Sequence, residues 1–137
     1  MITTNSSKED HKLGIGIIAK LNRVQTKVEW ALVERSSSNK VQDEAEVVRL
    51  ALMKAKEKRW RRIQISCENR HLISMIKAGA GADIHTCTLV ENIKSLINLF
   101  QLCSFCVRKS DNMDHCNSLN LYVVSNFRDE ERTFVTP

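Results

Sequence analysis

The spacing of apolar residues first changes period near residue 38, and that change limits the architectures open to the chain. Before it, Leu13, Ile15, Ile17 and Ala19 recur at every second position, and Val24, Val28, Trp30 and Leu32 continue the pattern. Such alternation puts one face of a strand against a core. Asn22 and Arg23 separate the two runs, so this region reads as a β-hairpin. A short strand at Met1 to Thr4 precedes it, with a polar loop from Asn5 to Lys12 between. After the sequence SSSN at Ser36 to Asn39, the residues Val41, Ala45, Val48, Leu52 and Ala55 fall at helical spacing, uninterrupted by Gly or Pro. A helix from Val41 to Lys58 follows, with its N-cap supplied by the Ser/Asn loop. A chain that changes period in this way is neither all-β nor all-α.

The alternation of elements continues downstream. Ile63 to Ser66 reads as a strand, and Arg70 to Ala78 as a short helix that Gly79 ends. Thr88 with Glu91 makes a capping-box pattern, opening a helix whose apolar face is Leu89, Ile93, Leu96, Ile97 and Phe100. Leu102 to Val107 is a further strand, Asp111 to Asn126 a last helix, and Phe127 to Pro137 a loose charged tail. The order predicts an antiparallel meander followed by helix-separated strands that join the same sheet in parallel. With 137 residues there is room for one domain of ordinary size.

The net charge of +5 has a single source. Lys54, Lys56, Lys58, Arg59, Arg61 and Arg62, set against Glu57 alone, carry all of it, and the rest of the chain is balanced. This is a local basic patch suited to phosphate contact. The Lys and Arg residues also complement the negative end of a helix dipole, and Trp60 among them reads first as a core cap between helix and strand. Five cysteines, an odd number in a chain able to build its own core, point to free thiols and a reducing compartment. No apolar run is long enough to span a membrane, and the polar start MITTNSSKEDHK lacks a signal-peptide core. The expected location is the cytoplasm or nucleus.

Four stretches in this order resemble the ribonuclease H-like domain, in the branch found in plants and in reverse-transcriptase-associated proteins. LGIGIIAK at Leu13 to Lys20 is similar to the family's Gly-Ile-Gly second strand, and DEAEVVRLALMKA at Asp43 to Ala55 to its acidic helix. RWRRIQISCENRHLISMI at Arg59 to Ile76 resembles the strand that ends in Ser-Asp-Ser. FCVRKSDNMDHC at Phe105 to Cys116 resembles the His-Val-Pro-Arg stretch before the last helix. The resemblance covers residues 5–126 and implies an α/β fold, a mixed five-stranded sheet flanked by helices. The domain would occupy residues 1–126, and residues 127–137 would form the charged tail.

That family hydrolyses the RNA strand of RNA–DNA hybrids with two Mg²⁺ ions held by carboxylates, with Mn²⁺ as a substitute. Carried over position by position, the resemblance implies a catalytic set of Asn5, Glu44, Glu68 and His115, with Glu44 and Glu68 as metal ligands. Only Glu44 keeps the family's residue. Asn5 replaces an Asp by an amide, Glu68 is one methylene longer than the Asp it replaces, and His115 is a softer ligand suited to transition metals. The formal charge of the cluster falls from −4 to −2, which implies weak or lost hydrolysis. Lys54, Lys58, Arg59, Arg61 and Arg62 are the candidate nucleic-acid contacts, with RNA–DNA hybrid or structured RNA as ligand. The alternative is a non-catalytic protein–protein interaction scaffold that retains the fold. Cys103 and Cys106, with His115 and Cys116, could be drawn as a zinc set, but a strand sends residues three apart to opposite faces, so buried thiols are the expectation.

Overall fold

The computed structural model describes residues 1–9, 11–21, 26–37, 39–79, 84–107 and 130–135. The elements in chain order are β1 (Ile2–Glu9), β2 (Lys12–Leu21), β3 (Thr26–Arg35), α1 (Lys40–Glu57), β4 (Arg62–Cys67), α2 (Arg70–Ala78), α3 (Ile84–Ile97), β5 (Leu102–Val107) and β6 (Glu130–Val135). They build one mixed sheet in the order β5-β4-β1-β2-β3-β6. Strands β1, β2, β3 and β6 are antiparallel neighbours, and β4 joins β1 in parallel with β5 parallel beyond it. The α/β class and the split into a meander and a parallel half follow the expectation.

Two strand predictions need correction. Among the described residues the sheet has six strands where five were expected, because the stretch read as a loose tail contributes β6, paired with β3 from Thr26↔Val135 to Ala31↔Glu130. Three charged residues, Glu130, Glu131 and Arg132, mask its β-prone end, Thr133 to Val135, and an edge strand tolerates such charge. Strand β1 also runs on through the expected polar loop to Glu9, since β2 supplies a backbone partner at every position from Ile2↔Ala19 to Glu9↔Lys12. Polar side chains do not prevent such a ladder when both strands are present.

The period-two residues that the structure describes do what their spacing predicts; Val24, with Asn22 and Arg23, lies outside the described residues. Leu13, Ile15, Ile17 and Ala19 of β2 and Val28, Trp30 and Leu32 of β3 are buried in one core with Ala45, Val48, Leu52 and Ala55 of α1. Ile18 and Ala31, with Val33 against them, form a small second cluster from the intervening positions. Trp60 caps the main core edge-on to Trp30, with ring centroids 6.0 Å apart and planes at 66°. Asn39 caps α1 by accepting from the Val41 and Gln42 amides at 3.0 and 3.2 Å. The capping box expected at Thr88 is not used: α3 begins at Ile84, and the Thr88 hydroxyl donates to the Ile84 carbonyl at 2.9 Å. A Thr inside a helix can bond back one turn in this way, so the Thr-x-x-Glu pattern alone does not fix a start. The helix expected at Asp111 to Asn126 lies outside the described residues.

Helix α1 ends in a Schellman turn. The Arg59 amide donates to Lys56 O at 3.0 Å and the Trp60 amide to Ala55 O at 3.2 Å, with Arg59 in the left-handed region at φ 60°. Glycine meets that requirement without a Cβ penalty, as Gly79 does at the end of α2 with φ 74°. Arg59→Gly is therefore expected to stabilise the fold by about 1 kcal/mol, seen as a rise of about 3 °C in the thermal midpoint. An unchanged or lower midpoint would show that the arginine makes a compensating contact.

Candidate functional site

Parallel pairing between β1 and β4 covers only Ile2↔Ile65 and Thr3↔Ser66. Beyond that point the strands part. The gap opens into a cavity of about 150 Å³, walled by Thr4 and Ser6 of β1, Lys40, Glu44, Val47 and Val48 of α1, Cys67 at the end of β4, Glu68 and Asn69 after it, and Leu72 of α2. A second hollow of about 330 Å³ shares Ser6, Lys40 and Glu44 and adds Ser7, Lys8, Leu13 and Asp43. This is the place where α/β sheets commonly bind ligands, outside the carboxyl ends of parallel strands where the chain connections diverge.

Glu44 and Glu68, far apart in sequence, thus meet in one crevice. Glu44 is half-buried and accepts a hydrogen bond from the Asn69 side-chain amide, while Glu68 is exposed. Asn69 also caps α2, its carbonyl oxygen accepting from the Leu72 amide at 2.9 Å. One side chain therefore fixes the Glu44 carboxylate to the start of the next helix. Asn5 lies between Thr4 and Ser6 on β1, opposite Gly16, and its side chain is outside what the structure describes. His115 also lies outside the described residues.

The neighbouring acid has a different task. Asp43 is buried and accepts from the Ser36 hydroxyl at 2.7 Å and from both the amide and the hydroxyl of Ser37 at 2.8 Å. It ties the β3–α1 loop to the first turn of the helix and thereby sets the height at which Glu44 enters the crevice. The Ser36–Ser37 hydroxyls serve this tie, which agrees with their reading as loop residues. Sequence reasoning passed over Asp43, Asn69, Thr4, Ser6, Cys67 and Lys40. Only Asn69 carried a local signal, as an Asn directly before a helix.

Could these residues hold a pair of Mg²⁺ ions? Among the described residues no group of three or more His, Cys, Asp or Glu side chains is placed to take a metal. The crevice offers two carboxylates, one already bound by Asn69, with neutral hydroxyls of Thr4 and Ser6 beside them. The described donors alone do not make up the carboxylate-rich cage that two Mg²⁺ ions require. Cys67, on the same wall, is a neutral thiol. Burial, reinforced by the charges of Glu44, Cys106 and Glu68, pushes it up to about 11, partly offset by a hydrogen bond from the Asn69 backbone. Burial alone moves Cys103 to about 11. Among the described residues, Cys67, Cys87, Cys103 and Cys106 form no disulfide.

The basic residues stand at the other end of the same elements. Glu44 lies near the start of α1 and Lys58 caps its end, so about 21 Å of helix separates them. Lys58, Arg59, Arg61 and Arg62 are exposed, and Lys54 is half-buried with Glu57 at 3.7 Å. The structure brings Glu44 and Glu68 together and keeps the cationic run apart from them.

This fold is that of ribonuclease H. The RNase H1 of the halophilic archaeon Halobacterium salinarum NRC-1 is similar with a TM-score of 0.81 and 11% identity, over 91% of this chain and 96% of that one. The N-terminal RNase H domain of Rv2228c from Mycobacterium tuberculosis, studied as a fusion with maltose-binding protein, matches with a TM-score of 0.71 and 9% identity, over 91% and 94%. At such identities the likeness concerns the fold and selects no branch. No protein-family model matches the sequence, and no curated protein matches it.

Two stability effects follow. Asp43→Ala strands the Ser36 and Ser37 donors and should cost about 2 kcal/mol in urea unfolding, with Asp43→Asn costing less. The raised thiols make the folded protein hold more protons than the unfolded chain between the ordinary value of 9.0 and about 11. The thiols' contribution to stability should therefore be constant below pH 9 and fall as pH rises towards 11, and a Cys67→Ser, Cys103→Ser variant should lose less stability over that range.

Proposed function

We propose that the chain is a ribonuclease H-like nucleic-acid-binding domain of the cytoplasm or nucleus that takes RNA–DNA hybrid or structured RNA, with hydrolysis weak or lost. The observation that carries the binding is the exposed run from Lys58 to Arg62, which keeps a cation even at Arg59, where the backbone favours glycine. A non-glycine residue in that region costs conformational energy, which makes Arg59 a candidate for a use outside the fold. The weakness of hydrolysis rests on the crevice, where Glu44 and Glu68 stand with hydroxyls in place of further carboxylates. If the chain retains activity, Mg²⁺ or Mn²⁺ would bind at Glu44 and Glu68, and Asn5 and His115 would be their remaining neighbours.

The separation of patch and crevice sets a length requirement. A duplex touching both must span about 20 Å, which is at least about six base pairs, since an A-like hybrid rises less per pair than the 3.4 Å of B-DNA. Fluorescence anisotropy with labelled hybrid should show affinity that falls with salt and rises until the duplex exceeds that length. Replacing Lys58, Arg59, Arg61 and Arg62 by Ala should remove most of the affinity and flatten the slope of log K against log salt by up to about 3.6. Binding that ignores salt would instead favour the protein-interaction scaffold. Cleavage assays with Mg²⁺ and Mn²⁺ should show slow turnover or none. Turnover that survives Glu44→Gln would place the chemistry elsewhere.

A further inference from the structure

We propose that Lys40 is the resident cation of the crevice: its ammonium holds a backbone phosphate of the ligand beside Glu44, so that nucleic acid binds there without a divalent ion. The inference rests on the nucleic-acid reading above and concerns how that same site works. Lys40 lines both hollows, one helical turn before Glu44 on the same face of α1. Its side chain is exposed, and no ion pair within 4.0 Å engages it among the described residues.

Local helix energetics do not account for a lysine at this position. It is the first residue of α1, where the positive end of the helix dipole disfavours a cation. The order Lys then Glu four residues later is also the weaker of the two pairings. A residue that contradicts its local setting calls for a reason elsewhere, and the crevice supplies one. Glu44 and Glu68 alone would repel a phosphodiester. With Lys40 the formal charge of the three groups drops from −2 to −1, and a flexible four-carbon stem can carry the ammonium between the Glu44 carboxylate and a phosphate oxygen. For binding, this lessens a repulsion that a divalent ion would neutralise in full. The ammonium lacks the Lewis acidity that activates water, so it fits retention of the ligand without its hydrolysis. Lys8, exposed on the rim of the second hollow, adds to the same field.

The test uses the full chain and a labelled RNA–DNA hybrid, titrated by anisotropy in EDTA and in Mg²⁺. Native affinity should be the same in both. Lys40→Ala should weaken binding about tenfold and flatten the salt slope by about one, and Lys40→Arg should retain both. Because a purely structural role would not change the salt slope, that readout separates phosphate contact from damage to the fold. Binding that requires Mg²⁺, or a Lys40→Ala protein that binds like native, would overturn this inference. Either result would leave the wider reading standing if the patch variant still lost affinity. A native chain that binds no hybrid would overturn both.

Discussion

Two residue pairs, Ile2↔Ile65 and Thr3↔Ser66, join the antiparallel half of the sheet to the parallel half, and the rest of the molecule is arranged around that narrow seam. A two-pair ladder is weak by itself. Helix α1 secures it by burying Ala45, Val48, Leu52 and Ala55 in one core with Ile2 on β1 and Ile65 on β4. At about 25 cal/mol per Å² of apolar surface, such burial outweighs any individual hydrogen bond at the site. Because the ladder stops after two pairs, the strands diverge, and the divergence is the crevice. The same feature that makes the seam short makes room for a ligand.

Around this opening, adjacent acids have separate duties. Asp43 is consumed by Ser36 and Ser37 and works for the loop, whereas Glu44 faces the cavity and is steadied by Asn69. Electrostatics then decide what the cavity can do. In the proposed reading, an ammonium beside the two carboxylates weakens their pull on a divalent ion and lessens their repulsion of a phosphate. Affinity contributed by the distant cationic run would act additively with this contact only along a ligand long enough to touch both ends of α1.

Much of the fold was legible in the sequence because burial imposes a period. Leu13 to Ala19, Val28 to Leu32 and Val41 to Ala55 could be assigned by spacing alone, and Gly79 and Asn39 ended and opened helices as their backbone chemistry requires. What escaped was structure held by backbone pairing without an apolar period, as in residues 5–9 of β1 and the charged start of β6. Thr88 misled for a related reason, since one hydroxyl can serve a cap or a carbonyl inside a helix. At the site, Glu44 and Glu68 were reached through family resemblance and do converge. Lys40, Thr4, Ser6 and Cys67 could not be found that way, because their place in the crevice follows from where β1 and β4 separate.

In the proposed reading, one ligand occupies both the cationic run and the crevice. Backbone amide shift mapping of the full chain with an RNA–DNA hybrid tests this directly. Perturbations should cluster in two regions, Lys54 to Arg62 and the crevice wall of Thr4, Ser6, Lys40, Glu44, Glu68 and Asn69, and should saturate together at one hybrid concentration. Perturbations confined to one region, or saturating at separate concentrations, would contradict it.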